Sequence, residues 1–380
     1  MTKSDKSPLT ITFVIDQYAN TTNGTTMTAM RSAEALRRRG HTVKILSGNG
    51  KGKDGVFTTG IRKTPILYQI TKSQGMELAK ADKRIMEPVI RESDIVHILM
   101  PFKFGRKAKA LADRWDVPST GAFHVQPENI TSTLYLRWCR PLNTMIYKIF
   151  RRFYNRFEQV HCPSKMICEQ LEKHGYRSKP HRISNGISRH FIDEAKRDRP
   201  QNKEIYQILM IGRFSREKRQ DVLIRAVHKS KYKDRIKLVL AGKGPWKRHL
   251  MKLSRKLGVS ADLKFFSQDE LIRMMHASDV YVHASDIEIE AIACIEAFAT
   301  GLVPIIADAP YSATKQFALT DHNLFSHGRP DSLSSKIDWM IDHPEERMSL
   351  SRRYIEYARG FTLESTVDAL ETMFKEAMEG

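Results

Sequence analysis

The chain is short of cysteine, of long apolar runs and of low-complexity sequence, and each shortage excludes a class of protein. Four cysteines, Cys139, Cys162, Cys168 and Cys294, are scattered over 380 residues without a CxxC pair, so thiol-held metals, thiol redox chemistry and a disulfide framework are not expected. A reduced, cytoplasmic setting fits that usage. No window approaches the roughly 18–20 apolar residues that a membrane-spanning helix needs. At the amino terminus, "MTKSDKSPLTITFVID" has a polar lead and then a six-residue apolar run, too short for the apolar region of a signal peptide. Apolar residues at 41%, with 20 Gly and 15 Pro, leave a folded globular protein as the default.

Positive charge is what the chain has in excess. The formal net charge is +20, and residues 1–200 hold 36 Lys and Arg against 18 Asp and Glu, whereas residues 201–380 hold 27 against 25. One half is therefore expected to face a polyanion, either nucleic acid or an anionic membrane. A length of 380 residues exceeds one ordinary core and implies two domains of about 150–200 residues each.

Strand-length apolar runs alternate with helical patterns through both halves, the mark of parallel α/β domains. In the first half "ITFVID" (11–16), "HTVKILSG", "DIVHILM" (94–100) and "VPSTGAFHV" read as strands, and "TAMRSAEALRRRG" and "AKALADRW" as helices. The rhythm restarts with "YQILMIGRF" (206–214), "IKLVLAGKG" (236–244), "DVYVHAS" (279–285) and "LVPIIAD" (302–308), with helices expected from Asp221, from Lys247, and from Ser285 or Asp286. Two doubly wound sheets in tandem account for this order. The charged, aperiodic stretch "DEAKRDRPQNKE" (193–204) is the expected linker. It divides an amino-terminal domain, 1–198, from a carboxy-terminal domain, 199–355, with a closing helix in 356–380. Ligands of such sheets bind outside the carboxyl ends of the strands, so two facing sheets would hold the active site in the cleft between them.

Polar residues at these strand ends are the candidates for chemistry. Arg213 and Lys218 follow the first strand of the second half, where two cations suit a diphosphate; solvated loop charges are the bland alternative. Gly242 and Gly244 in "LAGKGP" permit close backbone approach, or simply make a turn. The octet after Glu288, "EIEAIACIE" (288–296), ends on Glu296 and carries Glu290 inside. On an ideal helix its ends would be about 12 Å and 80° apart, unsuited to a catalytic dyad but able to touch two parts of one elongated ligand. A helix start there favours an anion; the alternative leaves Glu296 on an exposed helix face. In the first half, Asn23 and Gly24 form a turn at a helix start, in a stretch, "DQYANTTNGTT", without the GxGxxG dinucleotide fingerprint. His124 in "GAFHVQPEN" follows a strand, a usual place for an active-site side chain, although a lone histidine is more often structural.

In their order, "NGTT", "FHVQPE", "CPS", "SNGI", "IGRFSREKRQDVLIRA", "AGKGP" and "EIEAIACIEAFATGLVPIIAD" resemble the retaining glycosyltransferases of family 4, over nearly the whole chain and most strongly from Ile208 to Asp308. The resemblance implies the GT-B fold: two Rossmann-like domains facing across a cleft, the acceptor on the first, the nucleotide sugar on the second, and the last helix crossing back to the first. It assigns Arg213 and Lys218, with Gly24 and Gly242 near them, to the donor phosphates, and Glu296 to the ribose. Glu288 is assigned to the donor sugar and His124 to the transfer itself, making these two the expected catalytic residues. Ile289, Glu290 and Ala291 stand where the family often has Gly-Phe-Gly, so Glu290 and Ala291 are expected to bear on which sugar is used. No Asp-x-Asp triplet occurs, and neither a metal nor a cofactor beyond the UDP-sugar cosubstrate is expected.

The variant octet is similar to that of bacterial glycolipid synthases acting on diacylglycerol-type acceptors. "LYLRWCRPLNTMIYKIFRRFYNRF" (134–157) contains no acidic residue and interleaves Arg137, Arg140, Lys148, Arg151, Arg152 and Arg156 with Trp138 and six further aromatics. Such a pattern suits an interfacial helix on anionic lipid; the alternative is a core helix with solvated arginines. The expectation is a retaining hexosyltransferase, with glucose foremost, that forms an α-linked glycolipid from a UDP-hexose and a lipid such as diacylglycerol, peripherally attached to the inner face of the cell membrane. A soluble family member acting on a polysaccharide or small acceptor, and an epimerase of the same fold, are the alternatives. A nucleic-acid partner is not expected, because neither an RNA-binding signature nor a DNA-reading helix motif is present.

Overall fold

The computed structural model describes residues 7–19, 24–50, 52, 54–63, 76–133, 139–195 and 204–380. It comprises two compact units, Met1–Gly186 with Leu363–Gly380, and Ile187–Thr362. Residues 196–203, most of the stretch read as the linker, lie outside the described residues.

Among the described residues the first unit holds β1 (Thr10–Ile15), β2 (Thr42–Ser47), β3 (Val56–Thr58), β4 (Ile95–Ile98), β5 (Ser119–Ala122), β6 (Gln159–Cys162) and β7 (Lys179–Arg182). They form one parallel sheet in the order β3-β2-β1-β4-β5-β6-β7. A parallel sheet is covered on both faces, so its central strands are largely apolar, whereas the edge strand β7, Lys-Pro-His-Arg, is exposed at both ends. In β1, Ile11, Phe13, Val14 and Ile15 are buried, and the one buried polar side chain among them, Thr12, meets Ser93 Oγ at 2.7 Å.

The second unit holds β8 (Tyr206–Ile211), β9 (Ile236–Ala241), β10 (Ala261–Lys264), β11 (Val280–His283), β12 (Ile287–Glu288), β13 (Val303–Asp308), β14 (Tyr311–Ser312) and β15 (Leu324–Ser326). Six of these strands make a parallel sheet in the order β10-β9-β8-β11-β13-β15, and β12 pairs with β14 alone. Both sheets are doubly wound, as the alternation of runs implied. Each reverses its strand order once, at β1/β4 in the first unit and at β8/β11 in the second. There the loops diverge to opposite faces and leave a crevice at the strands' carboxyl ends.

The helix Leu363–Glu379 completes the first unit. Arg39 pairs with Asp368 at 2.6 Å and Glu371 at 3.2 Å, Thr366 Oγ1 donates to the Ser184 carbonyl at 2.9 Å, and Phe374 meets His97 edge-on. Gly186, where the chain leaves this unit, has a φ of +74°, and a Cβ there would meet Thr366 Oγ1 at 2.5 Å and Leu363 Cα at 3.0 Å. The Thr366 side chain can turn aside; the Leu363 backbone cannot. Gly186→Ala is expected to destabilise the protein by about 2 kcal/mol, read as a lowered midpoint of thermal unfolding. An unchanged midpoint would show that the close approach is not required.

Candidate active site

At the switch point of the second unit, charge joins the loops that leave β8 and β11. Lys218 Nζ donates to Glu288 Oε1, and His283 donates through Nε2 to the same oxygen at 3.0 Å, leaving Nδ1 to accept from the Tyr281 hydroxyl at 3.1 Å. Burial alone would raise the Glu288 carboxyl, but Lys218 and His283 hold it well below the ordinary carboxylate range. It is ionised at any physiological pH. A second cluster braces the same loops: Arg219 Nη1 lies 3.4 Å from Asp286 Oδ1, His327 bonds that oxygen, and the Asp286 amide donates to the Glu217 carbonyl at 2.8 Å. Arg213 reaches Glu217 at 3.7 Å, and its carbonyl accepts from Gln220 Nε2 at 2.8 Å. Both expected cations thus stand at one strand end, each beside a carboxylate.

The octet is not one helix. Glu288 lies in β12, opposite Ser312, and the helix runs only from Ile292 to Ala299. The expected start at Ser285 or Asp286 is therefore corrected: Asp286 is engaged by Arg219, His327 and Glu217, and does not cap a helix. The chain turns instead at Ala291, in the left-handed conformation with φ 72° and ψ 70°. This conformation costs a residue with a Cβ about 1–2 kcal/mol, and it falls where glycine is frequent in the resembling family. Glu296 follows about one helical turn later, and both it and Glu290 are buried, at 8% and 2% exposure, so Glu296 does not sit on an exposed face.

Gly242 has a packing reason of its own. A Cβ there would stand 2.0 Å from the Gly212 carbonyl oxygen, and one on Gly244 would stand 2.4 Å from that of Phe214. The two loops run backbone to backbone, with Gly212 N on Ala241 O at 2.9 Å and Phe214 N on Lys243 O at 3.1 Å.

In the first unit, Gly24 opens the helix Gly24–Arg38, and a Cβ on it would meet nothing within 4 Å; Asn23 lies outside the described residues. His124, just after β5, is buried with its ring edge-on to His161 at 4.9 Å, and His161 stacks on His97 at 5.8 Å. Burial, reinforced by the neighbouring imidazoles, pushes His124 well below its usual value, so the ring is neutral at neutral pH. His161 donates to the Ile183 carbonyl at 2.8 Å, whereas His124 Nε2 has no hydrogen-bond partner among the described residues. A neutral imidazole with a bare nitrogen is suited to a hydroxyl, not to holding an anion.

The basic segment differs from its expected form. Arg137 and Trp138 lie outside the described residues. Arg140–Tyr154 is a helix, and Tyr147, Phe150, Phe153, Tyr154 and Phe157 are buried in a core with Phe123 and Tyr176. They are not interfacial anchors, because their three- and four-residue spacing puts them on one inward face. Arg151 donates to the His174 carbonyl at 3.1 Å, and Arg156 pairs with Asp113 at 2.5 Å. The exposed face carries Arg140, Lys148 and Arg152 with Met145 and Ile149, the last two at 52% and 38% exposure.

Two family models match the chain, Glycosyltransferase Family 4 over residues 22–191 and Glycosyl transferases group 1 over residues 191–361. The chain is a GT-B glycosyltransferase. The enzyme is similar to alpha-monoglucosyldiacylglycerol synthase of Streptococcus pneumoniae, with 24% identity over 318 residues, covering 78% of this chain and 70% of that one. Among solved structures, Anabaena HepE in complex with UDP and glucose matches 97% of this chain and 100% of its own, at 15% identity and a TM-score of 0.73. The catalytic domain of cholesterol-alpha-glucosyltransferase from Helicobacter pylori is 43% identical over 41% of this chain and 99% of its own, with a TM-score of 0.39, too low for folds to be compared.

Sequence reasoning does not single out His283 or His327, and reads Asp286 only as a helix start. For His283 the signal is available: it is the polar last residue of the otherwise apolar strand "VYVH". Among the described residues, no group of His, Cys, Asp and Glu is placed to hold a metal ion, and no helix is long and apolar enough to cross a membrane. Ala291→Gly is expected to relieve the left-handed strain and stabilise the enzyme by up to about 1 kcal/mol in chemical denaturation. A loss of stability of that size would mean that the Ala291 methyl packs favourably enough to outweigh its backbone.

Proposed function

We propose that the enzyme transfers a hexose, glucose foremost, with retention from a UDP-sugar to a hydroxyl of a membrane lipid such as diacylglycerol. The observation that carries this reading is the Lys218–Glu288–His283 cluster at the second unit's switch point. An arriving diphosphate shares Lys218 with Glu288 and takes Arg213 beside it, with the backbone at Gly242 near the phosphates. Glu288, held ionised, accepts from the sugar's hydroxyls; Glu296 accepts from the ribose diol. Glu290 and Ala291 lie between these two and bear on which sugar fits. His124 Nε2 takes a hydroxyl close to the bond being made. UDP and glucose are what the HepE structure, of the same fold, holds.

For the acceptor, the support is the concentration of positive charge in residues 1–200 and the exposed face of the helix Arg140–Tyr154. Each cation near an anionic surface contributes about 1 kcal/mol, and the pneumococcal relative is named for a glucosyl diacylglycerol product. Docking on the inner face of the cell membrane is then peripheral. The burial of the aromatic side chains favours one competing reading, a soluble acceptor, which requires neither lipid nor detergent.

The test is a panel of UDP-glucose, UDP-galactose and UDP-N-acetylglucosamine against diacylglycerol, ceramide, a sterol, a glycolipid and a water-soluble glucoside, read by mass spectrometry. Turnover of the soluble glucoside alone would remove the lipid from the reading. Glu296→Ala is expected to weaken UDP binding about tenfold, as fits the loss of a charged hydrogen-bonding group, while Glu288→Ala loses turnover with little change in UDP affinity; unchanged kinetics in both would refute the site. In vesicle flotation, reversing the charges of Lys148 and Arg152 should reduce binding to anionic vesicles, and equal wild-type binding to neutral and anionic vesicles would contradict the docking.

A further inference from the structure

The switch point of the first unit holds a carboxyl that this reading leaves unused. Asp16 immediately follows β1 and is 3% exposed. Its Oδ1 accepts from the Ala79 amide at 3.0 Å, whereas Oδ2 has no hydrogen-bond partner among the described residues. Its place is fixed by its neighbours. The Gly48 amide donates to the Asp16 carbonyl at 3.2 Å, Gln17 Oε1 accepts from the Glu77 amide at 2.9 Å, and Asn49 Oδ1 accepts from the amides of Tyr18 and Ala19 at 2.6 and 2.9 Å. Asn49 Nδ2 donates to Glu77 at 2.8 Å. Only glycine fits at 48, because a Cβ there would stand 2.7 Å from Ile61 Cδ1 and 2.9 Å from the Asp16 carbonyl oxygen. A buried carboxyl oxygen held this firmly and given no donor among the described residues calls for a donor from a ligand.

We propose that Asp16 Oδ2 receives a hydroxyl of an uncharged acceptor at the β1/β4 switch point. This rests on the transferase reading above and narrows its acceptor. Burial pushes the Asp16 carboxyl up to about 7, countered only by the Ala79 amide; Tyr18, Glu77 and Lys80 on the surrounding segments do not enter the shift. A carboxyl with no cation among the described residues to offset it accepts from a hydroxyl and repels a phosphate or carboxylate. The acceptor head is therefore a neutral hydroxyl-bearing group, and phosphorylated heads are rejected.

Asp16→Asn keeps the size of the side chain and its bond to Ala79. With UDP-glucose as donor, and 1,2-dioctanoylglycerol and methyl α-glucoside as alternative acceptors, the variant is expected to lose about tenfold in acceptor kcat/KM, with UDP affinity by calorimetry unchanged within about twofold, which also shows that it has folded. Wild-type acceptor kcat/KM should rise as pH passes through about 7, since the ionised carboxyl is the stronger acceptor, and the variant should lose that rise. Dioctanoyl phosphatidic acid should inhibit the variant several-fold more strongly than the wild type. A variant with wild-type acceptor kcat/KM and pH profile overturns the proposal, as does equal inhibition of both proteins by phosphatidic acid. If the glucoside is glycosylated and dioctanoylglycerol is not, the lipid reading fails while Asp16 is still judged on the glucoside. Transfer to neither acceptor overturns the uncharged-acceptor assignment.

Discussion

An ionised carboxylate withdrawn from water must be met by a positive charge, and at Glu288 that requirement organises the second unit's strand ends. Lys218 comes from the loop after β8 and His283 from the last position of β11, so the two loops cannot move apart without leaving a largely desolvated charge uncompensated. The Asp286 cluster holds them a second time. With Glu288 fixed in the short strand beside Ser312, the chain has few residues in which to turn into the helix at Ile292, and Ala291 takes a conformation that glycine would adopt without strain.

The arrangement gives the site an exchangeable ion pair. Lys218 is held on Glu288, so the diphosphate of the proposed reading would have only to share a cation that is in position. Preorganised charge of this kind acts without reorganisation when the ligand arrives. Each unit then holds a carboxyl near the switch point of its sheet, and the two are of opposite character. Glu288, flanked by Lys218 and His283, is ionised throughout; Asp16, flanked by amides alone, is pushed up toward neutrality. Environment sets the difference.

The central strands β1, β2, β4, β8, β9, β11 and β13, and β5 beside them, were legible because strands buried on both faces read as apolar runs; β3, β6, β7, β10 and β15 were not, being short or, like Lys-Pro-His-Arg of β7, polar. Spatial order was not: nothing in a linear sequence says that β4 lies beside β1, or β11 beside β8, and the switch points depend on that alone. Asp286 shows a second limit. An aspartate after a strand reads as a helix cap, but Arg219, well upstream, and His327, well downstream, compete for it. The aromatic segment shows the reverse. Its spacing at Tyr147, Phe150, Tyr154 and Phe157 already described one helical face, and the charges between them masked a pattern that belongs to the core. Asp16 ends an apolar run much as His283 does, but what distinguishes it is the burial and the amides that surround it.

The inward turn of those aromatics also limits how the enzyme could hold a membrane. A helix that gives its large side chains to its own core offers only Met145 and Ile149 to the hydrocarbon, beside Lys148 and Arg152. Apolar insertion contributes about 0.8 kcal/mol per buried methylene, so two partly exposed side chains add little beside several cations near anionic lipid. Attachment by such a face is mainly electrostatic and therefore sensitive to salt and to lipid charge. On the proposed reading, anionic lipid would then serve to hold the enzyme at the surface, while the uncompensated carboxyl of Asp16 would keep the same anionic head groups out of the acceptor position.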